Sequence, residues 1–321
     1  MPDLKHLPKL MRESTWIILG QITAMLGSFA MIRVCTDNLT PGQYGELAIG
    51  MTAAMVINQV VSGGICGSIG RYYSIACEKN QIGAYLAGSV WLLSLSIGVT
   101  ILVFLLVIVA LMLSGYHKWI AFALIMGGLC IITALNSTMS GIQNAARQRA
   151  IVALHDGMDA WLKVGLALSL FVILERSSEV AAASYVVAAI LVSGSQVYFL
   201  NKLLPLSEIK WKTSSVKKWS PLMWQQAWPI SFWGIFTAFQ LGSDRWALGH
   251  FGTLHDVGSY AVLFQIGFVP ISLVGGVVIG LIGPIMFQQA GDASELDRIN
   301  VVHKATKFIA YDIVEQPFES V

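Results

Sequence analysis

Eight stretches of this chain are apolar over the length a helix needs to cross a bilayer, about 20 residues. They run over 15–35, 47–69, 86–113, 119–141, 158–174, 180–200, 222–247 and 257–287. In hydrocarbon every backbone N–H and C=O must be satisfied inside the protein, which leaves helices or a closed barrel. Barrel strands alternate in polarity over about ten residues, and these runs do not alternate. The expectation is an all-α, polytopic membrane protein. Only 12% of the residues are charged and 55% are hydrophobic, where a soluble domain carries roughly 25% charged residues. The fifth run is the shortest and holds Lys163, and the third is long enough to tilt. Pro229, Pro270 and Pro284 fall in or near the ends of the last two runs, where each removes a backbone donor. The first run lacks a small-residue cleavage site and is expected to stay as a span.

Lys and Arg orient the spans, because cytoplasmic loops carry them in excess. Of the 20 Lys and Arg residues, 15 lie in the N-terminal segment and the even-numbered loops. The odd loops hold only Lys118 and Arg176, and Arg33, Lys163 and Arg245 lie within or at the edge of spans. The N-terminus is therefore expected in the cytoplasm. Residues 1–201 read as a six-helix membrane bundle, and 202–221 as a basic cytoplasmic loop suited to anionic lipid. Residues 222–305 read as the first two helices of a second bundle, and 306–321 as a non-membrane tail.

An internal repeat supports this division. Leu26–Gly50 and Leu241–Phe264 each carry an apolar run, an Arg near its end, a short polar turn and a Gly near a Tyr. Both contain Leu-Gly-Ser, at 26–28 and 241–243. Arg33 and Arg245 occupy equivalent places on this reading, which is expected to set them on opposite walls of one cavity.

Charges inside a membrane are costly, so Arg33, Lys163 and Arg245 are candidate functional groups. Arg presents a fork of donors that suits phosphate. Snorkelling to the interface beside Asp37 and Asp244 is the alternative for the two arginines. Asn58, Gln59 and Gln240 carry amides that can bond sugar hydroxyls or serve helix packing, and Asp244 adjoins Arg245. Trp228 and Trp233 are candidates for stacking on a sugar ring. His155, Asp159 and Lys163 are one helical turn apart in succession. They read as a capped helix start with an ion pair rather than a catalytic base. Cys35, Cys66, Cys77 and Cys130 form no Cys-x-x-Cys, and no nucleotide-binding loop or hydrolase motif occurs. No cofactor, metal or nucleic acid is expected, and no catalytic residue is assigned.

Leu39-Thr40-Pro41-Gly42-Gln43-Tyr44-Gly45 resembles the turn after the first span of the polysaccharide exporter family. Asp244-Arg245-Trp246-Ala247-Leu248-Gly249, followed by Gly258-Ser259-Tyr260-Ala261, resembles that family's second-bundle signature. The family is similar in fold to the multidrug and toxin extrusion (MATE) transporters and the lipid II flippases. The resemblance implies two six-helix bundles about a central cavity, alternating access and coupling to an ion gradient. It implies a flippase that moves an undecaprenyl-diphosphate-linked oligosaccharide, such as an O-antigen unit, across the inner membrane. The expected partners are that lipid-linked substrate, membrane lipids and a coupling ion. A full second bundle needs four more spans, so the chain is expected to be a truncated or frame-shifted form of a longer transporter. A cation-coupled drug exporter is the alternative, which calls for acidic residues inside the spans. A membrane polymerase or ligase of the same pathway calls for a large outer loop, and the odd loops are short.

Overall fold

A computed structural model describes the backbone of residues 7–204, 209, 211 and 213–291, and side chains over 15–204, 209, 211, 213–272 and 275. The expected tail at 306–321, Lys210 and Lys212 of the basic loop, and the end of the second-bundle segment lie outside the described residues. Pro284 falls where only the backbone is described.

Among the described residues eight long helices follow one another: α1 (Leu7–Asn38), α2 (Pro41–Glu78), α3 (Ile82–Leu113), α4 (Ile120–Ala145), α5 (Arg149–Ile173), α6 (Ser178–Leu203), α7 (Thr213–Phe251) and α8 (Leu254–Gly291). Each matches one apolar run. The links are short except the one between α6 and α7, and a short link turns each helix back along the one before it. Three links turn through residues with positive φ: Asn80 at 51°, Gly115 at 76° and Arg147 at 59°. Six of the eight helices are long and apolar enough to cross a membrane by length and composition. Of the other two, α5 turns His155, Asp156, Asp159 and Lys163 inward, while α7 buries Arg245 and leaves Lys217, Lys218, Gln240 and Asp244 exposed. The chain is a multi-pass membrane protein.

Helix starts are encoded locally. The hydroxyl of Thr40 accepts from the Gln43 N–H, and the Gln43 side chain accepts from the Thr40 N–H, with Pro41 at the first helical position of α2. Thr253 and Asp256 repeat the box at α8: the Thr253 N–H donates to Asp256 at 2.9 Å, and the Asp256 N–H to the Thr253 hydroxyl at 3.3 Å. A π-turn over Gln59–Gly63 interrupts α2 between α-helical Pro41–Asn58 and Gly64–Glu78.

Small residues allow the backbones to approach. On α1, Gly20 and Gly27 lie against Ala153 and Ala160 of α5, leaving no room for a side chain at either glycine. The starts of α2 and α8 meet still more closely. Gly45 sits on the Leu254 carbonyl, and Gly258 sits on the Pro41 carbonyl, so each helix offers the other its first carbonyl and its glycine. The α7 helix runs along α2, with Gly242 against Thr52, Gly234 against Gln59 and Ala227 against Gly64.

Two apolar clusters hold the ends together. One joins Met31, Cys35, Tyr44, Leu47, Phe122, Phe171 and Val257. The other gathers Ile69, Tyr85, Met139, Leu200, Trp219 and Met223. Trp219 is fully buried, with its ring edge-on to Tyr85 at 5.8 Å. Large apolar side chains such as Leu106, Leu113, Val172 and Phe232 face outward, as a lipid-facing surface requires.

Candidate functional site

A cavity of about 430 Å³ lies where α1, α2, α5, α6, α7 and α8 converge. Arg245, Lys163, Asp156 and Asp159 line it, with Gln21, Tyr44, Tyr185 and Gln265. Arg245 is buried, at 9% exposure. Its Nη1 donates to the Thr52 hydroxyl at 2.6 Å, and its guanidinium lies 5.3 Å from the centre of the Phe264 ring. The close seat of Gly242 on Thr52, one turn earlier on α7, permits this reach. Arg245 has no carboxylate in ion-pair contact among the described residues, and its buried Nε–H has no partner.

The neighbouring Asp244 is exposed and turned elsewhere, accepting from the Tyr260 hydroxyl at 2.6 Å. Lys163 pairs with Asp159 one turn earlier on α5, and its Nζ lies 5.2 Å from the centre of the Tyr185 ring. Asp156 lines the same cavity with no hydrogen bond or ion pair among the described residues. The Tyr44 hydroxyl donates to Gln265 Oε1 at 3.2 Å, linking α2 to α8 in the cavity wall.

The structure thus brings Arg245 and Lys163 to one cavity and leaves Arg33 outside it. Arg33 has 78% of its side chain exposed and pairs with Asp37 at 2.9 Å. The matched caps give the physical reason. Thr40 corresponds to Thr253 and Gly45 to Gly258, and counting back from them the counterpart of Arg245 is Ile32. Ile32 does line the cavity. One residue of register turns a helix by about 100°, so the equivalence of Arg33 with Arg245 does not hold and Arg33 lies on another face.

Asn58 and Gln59 line a second cavity of about 410 Å³ between α2 and α4, together with Thr133 and Ser137. Gln240 is exposed on α7 and lines neither cavity, and Trp228 and Trp233 face outward. His155 does not pair with Asp159: it is buried between helices, with Nε2 at 3.0 Å from the Ser195 hydroxyl and its ring against Phe199.

Asp156, Tyr185 and Thr52 are not among the residues the sequence points to, and Tyr44 enters there only as part of the turn motif. Asp156 had a usable signal, since residues 156, 159 and 163 share one face of a 3.6-residue helix. Thr52 and Tyr185 had none, because a lone hydroxyl in an apolar run reads the same whether it faces a neighbour or a cavity.

Residues 10–289 match the model of a family described as polysaccharide biosynthesis protein. The chain belongs to that family. No curated protein matches this family member. Among solved structures it is similar to an inward-facing multidrug resistance MATE family transporter of the MOP superfamily, at 12% identity and a TM-score of 0.64. That likeness covers 90% of this family member and 68% of the other chain. It is also similar to a MATE in complex with Br-NRF, at 14% identity and a TM-score of 0.60, over 95% of this chain and 72% of that one. The fold is therefore that of the MATE proteins, as the two sequence signatures implied.

Proposed function

We propose that this chain is a flippase that moves an undecaprenyl-diphosphate-linked oligosaccharide across the inner membrane, with its N-terminus in the cytoplasm. The observation that carries the reading is Arg245: a buried guanidinium, facing a cavity between membrane helices, with no carboxylate partner. Leaving a buried charge uncompensated costs several kcal/mol. A diphosphate entering the cavity would supply the missing counter-charge and accept forked, charge-assisted hydrogen bonds. Lys163, beside Asp159, adds a second cation whose pairing can be exchanged for phosphate. Membership of a polysaccharide biosynthesis family supports a glycan cargo. On this reading residues 1–201 supply one wall, the helices after the 202–221 loop supply the facing wall, and Arg33 anchors the interface with Asp37.

A cation-coupled drug exporter is favoured by one observation, the presence of Asp156 and Asp159 in the same lining. Lys163 neutralises Asp159. Asp156 is left to hold a proton or coupling cation, which is the part it takes in a flippase as well. The purified chain in lipid nanodiscs, titrated with undecaprenyl diphosphate, separates the two. Arg245→Gln is expected to weaken binding ten-fold or more and Arg245→Lys less, while Arg33→Gln stays within two-fold. If a lipophilic cation binds instead, and Asp156→Asn rather than Arg245→Gln removes that binding, the exporter reading replaces this one.

A further inference from the structure

The second cavity differs from the first in its chemistry. It holds no Asp, Glu, Lys, Arg or His; its polar lining is Asn58, Gln59, Thr133 and Ser137, set among Met51, Met55, Cys66, Leu129 and Cys130. None of those four polar side chains has a hydrogen-bond partner among the described residues. Asn58, Gln59 and Thr133 are half-buried and Ser137 is exposed, so their amides and hydroxyls stand open to the cavity instead of being paired across helices, as polar groups between membrane helices commonly are. The amides and hydroxyls point to a ligand that both donates and accepts hydrogen bonds and carries no charge.

The backbone is modified at the same place. The π-turn at Gln59–Gly63 begins with a lining residue and ends on one, Gly63. Such turns insert a residue into a helix and re-aim its side chains, and they occur often at functional sites. The Gln59 side chain lies across Gly63, in space that any larger residue at 63 would contest. Gln59 also abuts Gly234 of α7, so the helix that carries Arg245 backs the second cavity.

The two cavities adjoin. Met51 lines both, and Thr52, the partner of Arg245, precedes Gln59 by two turns of α2, about 10 Å along the axis. A charged chamber and an uncharged chamber therefore lie in series, with a flexible thioether between them. We propose that the Asn58/Gln59/Thr133/Ser137 cavity is a glycan subsite for neutral sugars, receiving the units next to the lipid while the Arg245 chamber holds the diphosphate. This rests on the flippase reading and adds a restriction to it: the sugars closest to the lipid are uncharged. An anionic sugar there would have no cation to meet.

Binding of three lipids to the full chain in nanodiscs tests the proposal: undecaprenyl diphosphate alone, the same lipid bearing a neutral disaccharide, and the same lipid bearing a hexuronic acid. The neutral glycolipid is expected to bind about ten-fold more tightly than the bare lipid, as two net hydrogen bonds would give. The uronic acid lipid is expected to show no such gain. Gln59→Leu/Thr133→Val is expected to bring the ratio of neutral to bare affinity close to one, whereas Arg245→Gln lowers both affinities and keeps the ratio. A ratio unchanged in the double variant overturns the subsite and leaves a water-filled vestibule or a packing role. An equal gain for the uronic acid lipid overturns the restriction to neutral sugars. Failure of all three lipids to bind the unaltered chain removes the flippase reading and the subsite together. Retention of bare-lipid binding without a sugar preference removes the subsite alone.

Discussion

Lys163 shows how one side chain divides its work. It forms an ion pair with Asp159 across one turn of α5, faces the Tyr185 ring and borders the cavity. Removing Lys163 alone leaves a half-buried carboxylate without its cation, at a cost of about 1–3 kcal/mol. Replacing both partners by neutral groups of similar size removes the charge and its need for a partner together. Lys163→Met is therefore expected to lower the thermal unfolding midpoint in detergent. Lys163→Met/Asp159→Asn is expected to recover most of the loss. A double variant as unstable as the single one would show that Lys163 stabilises α5 through its stem and ring contact rather than through the pair.

Between elements, the contact that governs α2 and α8 is the reciprocal meeting of their first turns. Both helices begin with a Thr capping box, and each places a glycine four residues after its first helical residue. These glycines lie directly on the partner's first carbonyl, so a methyl group at either position has nowhere to go without parting the helices. Overpacking of this kind costs roughly 1–3 kcal/mol. Gly45→Ala and Gly258→Ala are each expected to destabilise the fold or widen this end of the cavity. Gly42→Ala, three residues before Gly45 with nothing within 4 Å, is expected to be neutral or stabilising, by about 0.5–1 kcal/mol. Thermal unfolding of the three variants provides the comparison, and equal behaviour of all three would show that the α2–α8 contact yields without cost.

At the scale of the whole molecule, the helix ends sort into two faces. Gln43 at the start of α2 donates to the Arg176 carbonyl in the α5–α6 link at 3.0 Å, and Ser178 of α6 donates to Glu46 at 2.8 Å. At the opposite face Lys218 of α7 donates to Gln81 in the α2–α3 link at 2.8 Å. The basic links, with Lys79, Arg147 and Arg149, gather on the Lys218 side, which is the cytoplasmic side in the proposed orientation. Single cysteines at Gln43, Tyr116 and Thr253 are expected to react with an impermeant maleimide in intact cells. Cysteines at Lys79 and Gln148 are expected to react only after lysis. The background chain needs all four native cysteines replaced, although three of them are buried. Labelling of position 79 from outside would invert the molecule.

The sequence by itself determined the class of structure and the number of long helices. It did so because a bilayer imposes one length and one rule of backbone satisfaction on every span, and both are visible in any apolar run. The starts of α2 and α8 carry a local signal as well, a Thr followed three residues later by Gln or Asp, but the apolar runs begin later, at 47 and 257, and do not show it. Arg245 and Lys163 were found because charge in hydrocarbon is conspicuous. The tertiary structure alone decided which charges share a cavity. Helical register rotates each residue by about 100°, so an inexact match between two repeats was enough to place Arg33 on an outer face and Ile32 on the inner one. It also decided the π-turn in α2, the meeting of Gly45 with Leu254 and of Gly258 with Pro41, and the grouping of Asn58 and Gln59 with Thr133 and Ser137. Each of these depends on how closely two backbones approach, a distance fixed by the neighbouring helix and not by the residue's own stretch of chain.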